Sequence, residues 1–340
     1  MNHPQPEDQL SLYTHRATRR VVLRLAVAGA IAPLLGLPLN GSRSVRAQGG
    51  EVRIGFQKGS ANLLVLKSKG LLEEALADLG VSVTWTEFPA GPPLLEALNA
   101  GALDFGTTGA PPPIFAQAAG ADLIYAAAAT PSPFEEGILV PKDSPIKSIA
   151  DLKGKKVAVA KGSSANALLA FALEAAGLQW EDVEATFLLP ADAKAAFDGG
   201  SVDAWAIWDP YAAVAEDGTG AHSIANGETA NHTNRSFYLA ARPFATDHAD
   251  VLNAILDTLA ESDAWAADHP EDVAKLVAAE TGIVESTLLK VEKRSAYGIE
   301  PVTEAIVGEQ QVLADMFLEL GLIPERVDVA SATLPGQVTD

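Results

Sequence analysis

The sequence predicts an α/β protein of two lobes, and three observations carry that prediction. Strand-like and helix-like patterns alternate from residue 52 to residue 216, as in folds built on mostly parallel sheets. Short, weakly charged loops stand at five of the handovers from strand to helix, and four of them contain glycine. Two extended segments, residues 138–140 and 237–241, interrupt the alternation and read as crossovers between lobes.

The elements follow in order. Residues 52–56 are apolar enough for a buried strand and lead into a helical stretch over residues 63–79. Residues 81–88 alternate apolar and polar side chains, the period of a strand. Residues 92–100 open on proline, which a helix tolerates in its first turn. A short strand at 103–105, a helix at 111–118 and a buried strand at 123–128 complete a βαβαβ beginning with right-handed crossovers. Residues 138–140 then enter the turn-rich Pro141-Lys142-Asp143-Ser144-Pro145.

A second α/β set follows, with strands at 157–160, 185–188 and 202–207 and helices at 164–176, 191–197 and 210–216. After residue 241 only helices are predicted, at 249–267, 270–280, 285–291 and 303–320. The expected division is residues 48–140 and 238–330 in a discontinuous first lobe, 141–237 in a second, and 331–340 as a tail. Two lobes on two connections form a hinge device. The polar stretch 226–235 reads as an exposed loop.

The first 47 residues read as a leader. Arg19-Arg20 precedes an apolar run over residues 25–39, and Val45-Arg46-Ala47 ends in a small-residue cleavage signal. The arginine pair points to Tat export, with cleavage near Ala47. Pro33, Gly36 and Pro38 interrupt the run, which is shorter than the ~20 residues of a membrane span. With no cysteine there is neither a disulfide nor a lipid-modified cysteine, so the expectation is a freely diffusing periplasmic protein.

The whole chain has a formal net charge of −20, which excludes nucleic acid and anionic membrane surfaces as partners. Metal, cofactor and catalytic signatures are also missing: there is no nucleophile elbow, P-loop or dinucleotide fingerprint, and no H-x-x-x-H pair. The expectation is a binding protein, monomeric, with no cofactor and no metal.

The candidate site is distributed over the five loops. In an open α/β sheet these lie at the carboxyl ends of strands, where ligands bind. Glycine permits close backbone approach, and helix starts offer free N–H groups and a positive dipole end. The loops hold Gln57 and Gly59; Pro89, Ala90 and Gly91; Thr107, Thr108 and Gly109; Gly162, Ser163 and Ser164; and Trp205, Trp208 and Asp209. Together they suit a small anion. The serines read either as a helix cap or as an anion nest, Asp209 reads as a cap for the helix opening at Pro210, and one tryptophan is expected to line the cleft.

These residues resemble a known family. The strongest pieces are Arg53-Ile54-Gly55-Phe56-Gln57-Lys58-Gly59-Ser60, Glu87-Phe88-Pro89-Ala90-Gly91-Pro92, Asp151-Leu152-Lys153-Gly154-Lys155 and Val202-Asp203-Ala204-Trp205-Ala206-Ile207-Trp208-Asp209-Pro210-Tyr211. Over residues 51–329 the chain is similar to the aliphatic sulfonate-binding proteins of bacterial ABC importers, within the taurine- and nitrate-type receptor group. The resemblance implies a type II periplasmic binding protein fold, a sulfonate held between closing lobes and delivery to a membrane permease.

It also implies that the sulfonate meets Gln57, Gly59, residues 89–91, 107–109 and 163–164, with its tail along Trp205 and Trp208. Relatives often carry an acidic residue where this chain has Ala110. If Ala110 faces the cleft, its missing charge favours neutral, apolar tails. A receptor of the same fold for nitrate, taurine or a thiamine-precursor-like ligand is the alternative.

Overall fold

The computed structural model describes residues 50–338. The expected leader, its arginine pair and its cleavage site lie outside the described residues.

Eleven strands make two sheets among the described residues. They are β1 (Glu51–Phe56), β2 (Ser82–Glu87), β3 (Phe105–Gly109), β4 (Leu123–Ala129), β5 (Glu136–Val140), β6 (Lys156–Val159), β7 (Glu184–Phe187), β8 (Ala204–Trp208), β9 (His222–Ala225), β10 (Ser236–Ala241) and β11 (Ile299–Glu300). The six-stranded sheet runs β11-β4-β10-β3-β1-β2, and the five-stranded sheet runs β7-β6-β8-β5-β9. In each, three strands pair in parallel: β2, β1 and β3 in the first, β7, β6 and β8 in the second.

Each sheet also takes in one antiparallel strand that arrives from the other. β5 pairs with β8 and β9, and β10 pairs with β3 and β4. The connections between sheets are therefore residues 130–135 and 226–235. This corrects the expected boundary at residue 140: β5 was placed with the first lobe, and its ladder lies in the second sheet. Residues 138–140 and 237–241 look like linkers in sequence because an inserted strand has no helix of its own beside it. Both are fully apolar sheet members instead.

Both faces of both sheets are covered at their centres, which explains why the inner strands read as continuous apolar runs, while the edge strands β2 and β7 stay partly exposed. Val52, Ile54 and Phe105 pack on one side of the first sheet with Leu63 and Leu66, while Leu94, Ile114 and Phe317 cover the other. In the second sheet Val157 and Val159 face Leu168 and Leu169, and Trp205 and Ile207 face Phe197. The long helix expected over 63–79 is two, Ala61–Lys69 and Leu71–Ala77, parted at Gly70 with φ 65°. Residues 331–338 are not a loose tail: Leu334 packs on the first core, and Gln337 donates to the Ala126 carbonyl at 3.2 Å.

Residues 226–235 form a loop that is exposed only at Glu228, Thr229, Asn231 and Thr233. His232, Asn234 and Arg235 are buried. Asn234 donates to the Ser132 carbonyl at 2.8 Å, tying the two connections side by side, and Arg235 donates to the Ala129 carbonyl at 2.8 Å. Asn231 and Asn234 adopt φ of 54° and 48°, a region asparagine tolerates better than most residues.

Candidate functional site

The cleft between the sheets has walls made of helix starts. Residues Ser60, Ala61 and Asn62 line it at the opening of Ala61–Lys69, Gly91 at the opening of Gly91–Asn99, and Pro112 at the opening of Pro111–Ala118. Ser163 and Ser164 line it from the opposite side, at the opening of Ser164–Ala175. The helix Pro111–Ala118 begins with three prolines and so contributes wall but no first-turn N–H donors. The donors come from the other starts.

The loop after β1 is self-braced: the Ser60 amide donates to the Gln57 carbonyl at 2.9 Å, and the Gln57 amide donates to Ser60 Oγ at 3.2 Å. Gln57 Nε2 reaches the Thr107 carbonyl at 3.2 Å, which joins this loop to the end of β3. The Thr107 hydroxyl donates to the Phe237 carbonyl at 3.1 Å. Ser163 is an N-cap, since the Asn166 amide donates to its hydroxyl at 3.3 Å and that hydroxyl donates to the Ala160 carbonyl at 2.7 Å. Ser164 makes no such cap and is half-buried.

The lobes touch through glycine. A Cβ on Gly59 would stand 2.6 Å from the Asp209 carbonyl oxygen, and one on Gly109 would stand 3.0 Å from Ser164 Cβ. Neither close approach leaves room for a side chain.

Of the fifteen expected site residues, ten line the cleft: Gln57, Gly59, Gly91, Thr107, Thr108, Gly109, Ser163, Ser164, Trp208 and Asp209. Five do not. Pro89 is exposed, Ala90 is the buried residue before its helix, and Gly162 lies against the Phe115 ring. Trp205 is 1% exposed and packs on Phe197 at 5.9 Å between ring centroids. The reason is the period of a strand: residues three apart on β8 point to opposite faces, so Trp208 faces the cleft and Trp205 the core. Ala110 belongs to the core with Leu94 and Ile114, and its carbonyl accepts from Gln310 Nε2 at 2.6 Å. Its side chain is packed in the core and does not line the cleft.

The floor was not foreseen. Thr130, Ser132 and Glu135 come from the first connection, Asn234 from the second, Ser236 from the start of β10, and Ser295, Ala296 and Tyr297 from the turn before β11. Their only local signal was the polarity of 226–235, and that signal read as surface.

Among the described residues lining the cleft there is no lysine, arginine or histidine. Two carboxyl groups do line it, Glu135 and Asp209. Burial pushes Asp209 up to about 6 against the opposing pull of Arg294, whose Nη1 lies 3.2 Å from Oδ2. Asp209 also accepts from the Ala213 amide at 2.9 Å, the expected helix cap. Arg294 continues to Glu216 at 2.5 Å, and Lys290 joins Asp217 at 3.1 Å. This ionic strip ties the segment around Glu285–Glu292 to the helix Tyr211–Thr219 that follows β8.

Burial pushes Glu135 up to about 7, aided by the nearby Asp209 and Glu292 charges and opposed by the Ser295 and Ser132 hydroxyls. Glu292 is likewise raised to about 7 by burial, although the Tyr297 hydroxyl donates to it at 2.6 Å. Among the described residues no acidic, histidine or cysteine cluster is arranged to hold a metal ion, and no helix is long and apolar enough to cross a membrane.

The comparisons agree with this architecture. The chain is 44% identical over 311 residues to the aliphatic sulfonates-binding protein of Escherichia coli K12, covering 91% of this chain and 95% of that one. It is 35% identical over 305 residues to the corresponding protein of Bacillus subtilis 168, covering 90% and 92%. The alkanesulfonate-binding protein SsuA from Xanthomonas axonopodis pv. citri bound to MOPS superposes with a TM-score of 0.80 at 41% identity, over 85% of this chain and 99% of that one. Two α/β lobes joined by two connections, as observed, make the type II periplasmic binding fold. With a family model matching residues 58–273, the chain belongs to the NMT1/THI5-like family.

Proposed function

We propose that this chain is the periplasmic receptor of an ABC importer, that it binds aliphatic sulfonates in the cleft, and that it hands them to the permease without chemical change. The observation that carries the reading is the cation-free cleft walled by helix starts and hydroxyls. A sulfonate is a monoanion with three acceptor oxygens and no proton to give, so it matches N–H and O–H donors at helix N-termini. Hydrogen bonds to a charged group contribute about 1.5–3 kcal/mol each, and several of them reach the ~8 kcal/mol of a micromolar complex after ordering costs. The tail lies along Trp208. The identity to the Escherichia coli and Bacillus subtilis proteins named for this ligand class supports the same reading.

In this reading the protein acts as a monomer. It is exported through Arg19-Arg20 on the Tat route and released by cleavage near Ala47.

Calorimetric titration with butanesulfonate, taurine, sulfate, nitrate and a thiamine-precursor pyrimidine tests the ligand class. Organosulfonates are expected to bind at micromolar Kd or tighter, and sulfate and nitrate at least tenfold more weakly. Tight binding of nitrate or the pyrimidine, with no response to any sulfonate, would overturn the proposal. Emission follows closure in the same samples: ligand is expected to shift tryptophan fluorescence, Trp208→Phe to remove most of the shift, and Trp205→Phe to leave it.

A further inference from the structure

The cleft has a polarity that the anion alone does not explain. Its walls offer neutral donors from helix starts, whereas its floor holds Glu135 on the first connection between the sheets. The two carboxyls of the cleft are in different situations. Asp209 has a counter-ion, Arg294 at 3.2 Å. Glu135 has none: the groups acting on it are the Ser295 and Ser132 hydroxyls and the like charges of Asp209 and Glu292, with no cation among them.

Behind the floor stand more acids. Glu292 is buried under Tyr297, and Asp263 accepts from the Gly298 amide at 3.1 Å through one oxygen and leaves the other without a partner. A floor of this kind repels a bare anion and holds a cation, and the walls do the reverse. A ligand that satisfies both ends carries both charges.

We propose that Glu135 is the specificity-determining residue for the tail, and that the preferred ligands are zwitterionic sulfonates whose tail bears a protonated amine placed against this carboxyl. This rests on the sulfonate reading and narrows it. Tail selectivity then resides on the connection between the lobes and not at Ala110, which packs in the core. Because Glu135 precedes β5 directly, and its carbonyl accepts from the Asp209 amide at 2.7 Å, an amine bound there touches the segment about which the lobes move.

The test uses nearly isosteric tails on the full chain. Taurine is compared with propanesulfonate, and 3-aminopropanesulfonate with butanesulfonate and 3-hydroxypropanesulfonate, by calorimetry on wild type and Glu135→Gln. In wild type the amine of the better-fitting pair is expected to bind at least tenfold tighter than its methyl counterpart. Glu135→Gln is expected to erase that preference while keeping or improving affinity for the methyl tail. Equal affinities in wild type, or a preference for methyl tails, overturn the proposal whatever the stability of the variant. So does an amine preference that survives Glu135→Gln, or a hydroxyl tail that binds as tightly as the amine. If no sulfonate binds at all, the sulfonate reading fails first and this inference with it.

Discussion

The walls and the floor of the cleft are built by different means. Two walls are local devices, in which a strand ends, a short loop turns and a helix begins, so that Gln57–Ala61 and Ser163–Ser164 are shaped by their own few residues, while Thr107–Gly109 closes β3 against β10. The floor is a product of topology. Ser132, Asn234 and Ser295 stand far apart in sequence and meet only because β5 and β10 exchange sheets and the turn before β11 returns beneath them. The one carboxyl of the walls, Asp209, is paired with Arg294, whereas the floor carries Glu135 with no cation beside it. On the proposed reading, the walls hold the anionic head and the floor selects the tail.

The largest expected effect breaks the fit between the walls. Gly59→Ala places a methyl 2.6 Å from the Asp209 carbonyl oxygen, which belongs to backbone and has little room to move. Gly59 does not occupy the left-handed region, so alanine is tolerated wherever the lobes stand apart. Overpacking of this kind costs about 1–3 kcal/mol, so binding is expected to weaken roughly ten- to hundredfold. Calorimetry on the variant checks this. Affinity within threefold of wild type would mean that ligand is held without this contact.

A second effect isolates the floor. Burial raises Glu135 and Glu292 to about 7 and Asp209 and Asp263 to about 6, from ordinary values near 4. Between about pH 4.5 and 7 the folded protein thus holds protons that the unfolded chain releases, and stability falls as pH rises through that window. His232 opposes this. Burial lowers it to about 4, so it adds stability as pH rises from about 4 to 6.5. With Glu136, which burial raises well above its ordinary value, five acids outweigh one histidine. After allowance for solvent screening, the loss between pH 5 and 7.5 is expected to be about 3 kcal/mol, or roughly 6–12 °C in Tm. Thermal melts across that range, repeated with Glu292→Gln, test the sign. A Tm that climbs from pH 5 to 7.5 would contradict it.

The same contrast explains what was legible in the sequence. The α/β class, both sheets' parallel strands and ten cleft residues follow from local patterns: apolar runs, glycine before a helix, serine or proline at a helix start. Trp208 and Trp205 were paired because they are close in sequence, but a strand's period of two separates them. Ala110 was read from position alone, and the inward packing of Pro111–Ala118 hides it. Glu135, Asn234 and Tyr297 carry no pattern that marks them. Their role comes from long-range pairing of β5, β10 and β11, which no window of a few residues contains.

The smallest expected effect sharpens the description of a single wall. Ser163 and Ser164 are adjacent and both line the cleft, yet their hydroxyls are committed differently. Ser163 Oγ donates to the Ala160 carbonyl and accepts from the Asn166 amide, so its hydrogen and one lone pair are already in use. Removing a cap of this kind costs about 1 kcal/mol of stability. Ser164 does not cap the helix; it lines the cleft beside the buried Glu136 carboxyl, and on the proposed reading its hydroxyl donates to the anion. Ser163→Ala is therefore expected to lower Tm by a few degrees and leave Kd within about twofold, as ~1 kcal/mol acts on folding and not on binding. Ser164→Ala is expected to do the opposite: Tm unchanged within about a degree and Kd weakened about five- to tenfold, the worth of one hydrogen bond to a charged group near the lower end of its range. Paired melts and titrations read both numbers from the same preparations. Should Ser163→Ala weaken binding more than Ser164→Ala, the hydroxyl facing the anion would be that of the cap, and the wall would hold its ligand through the very groups that start its helix.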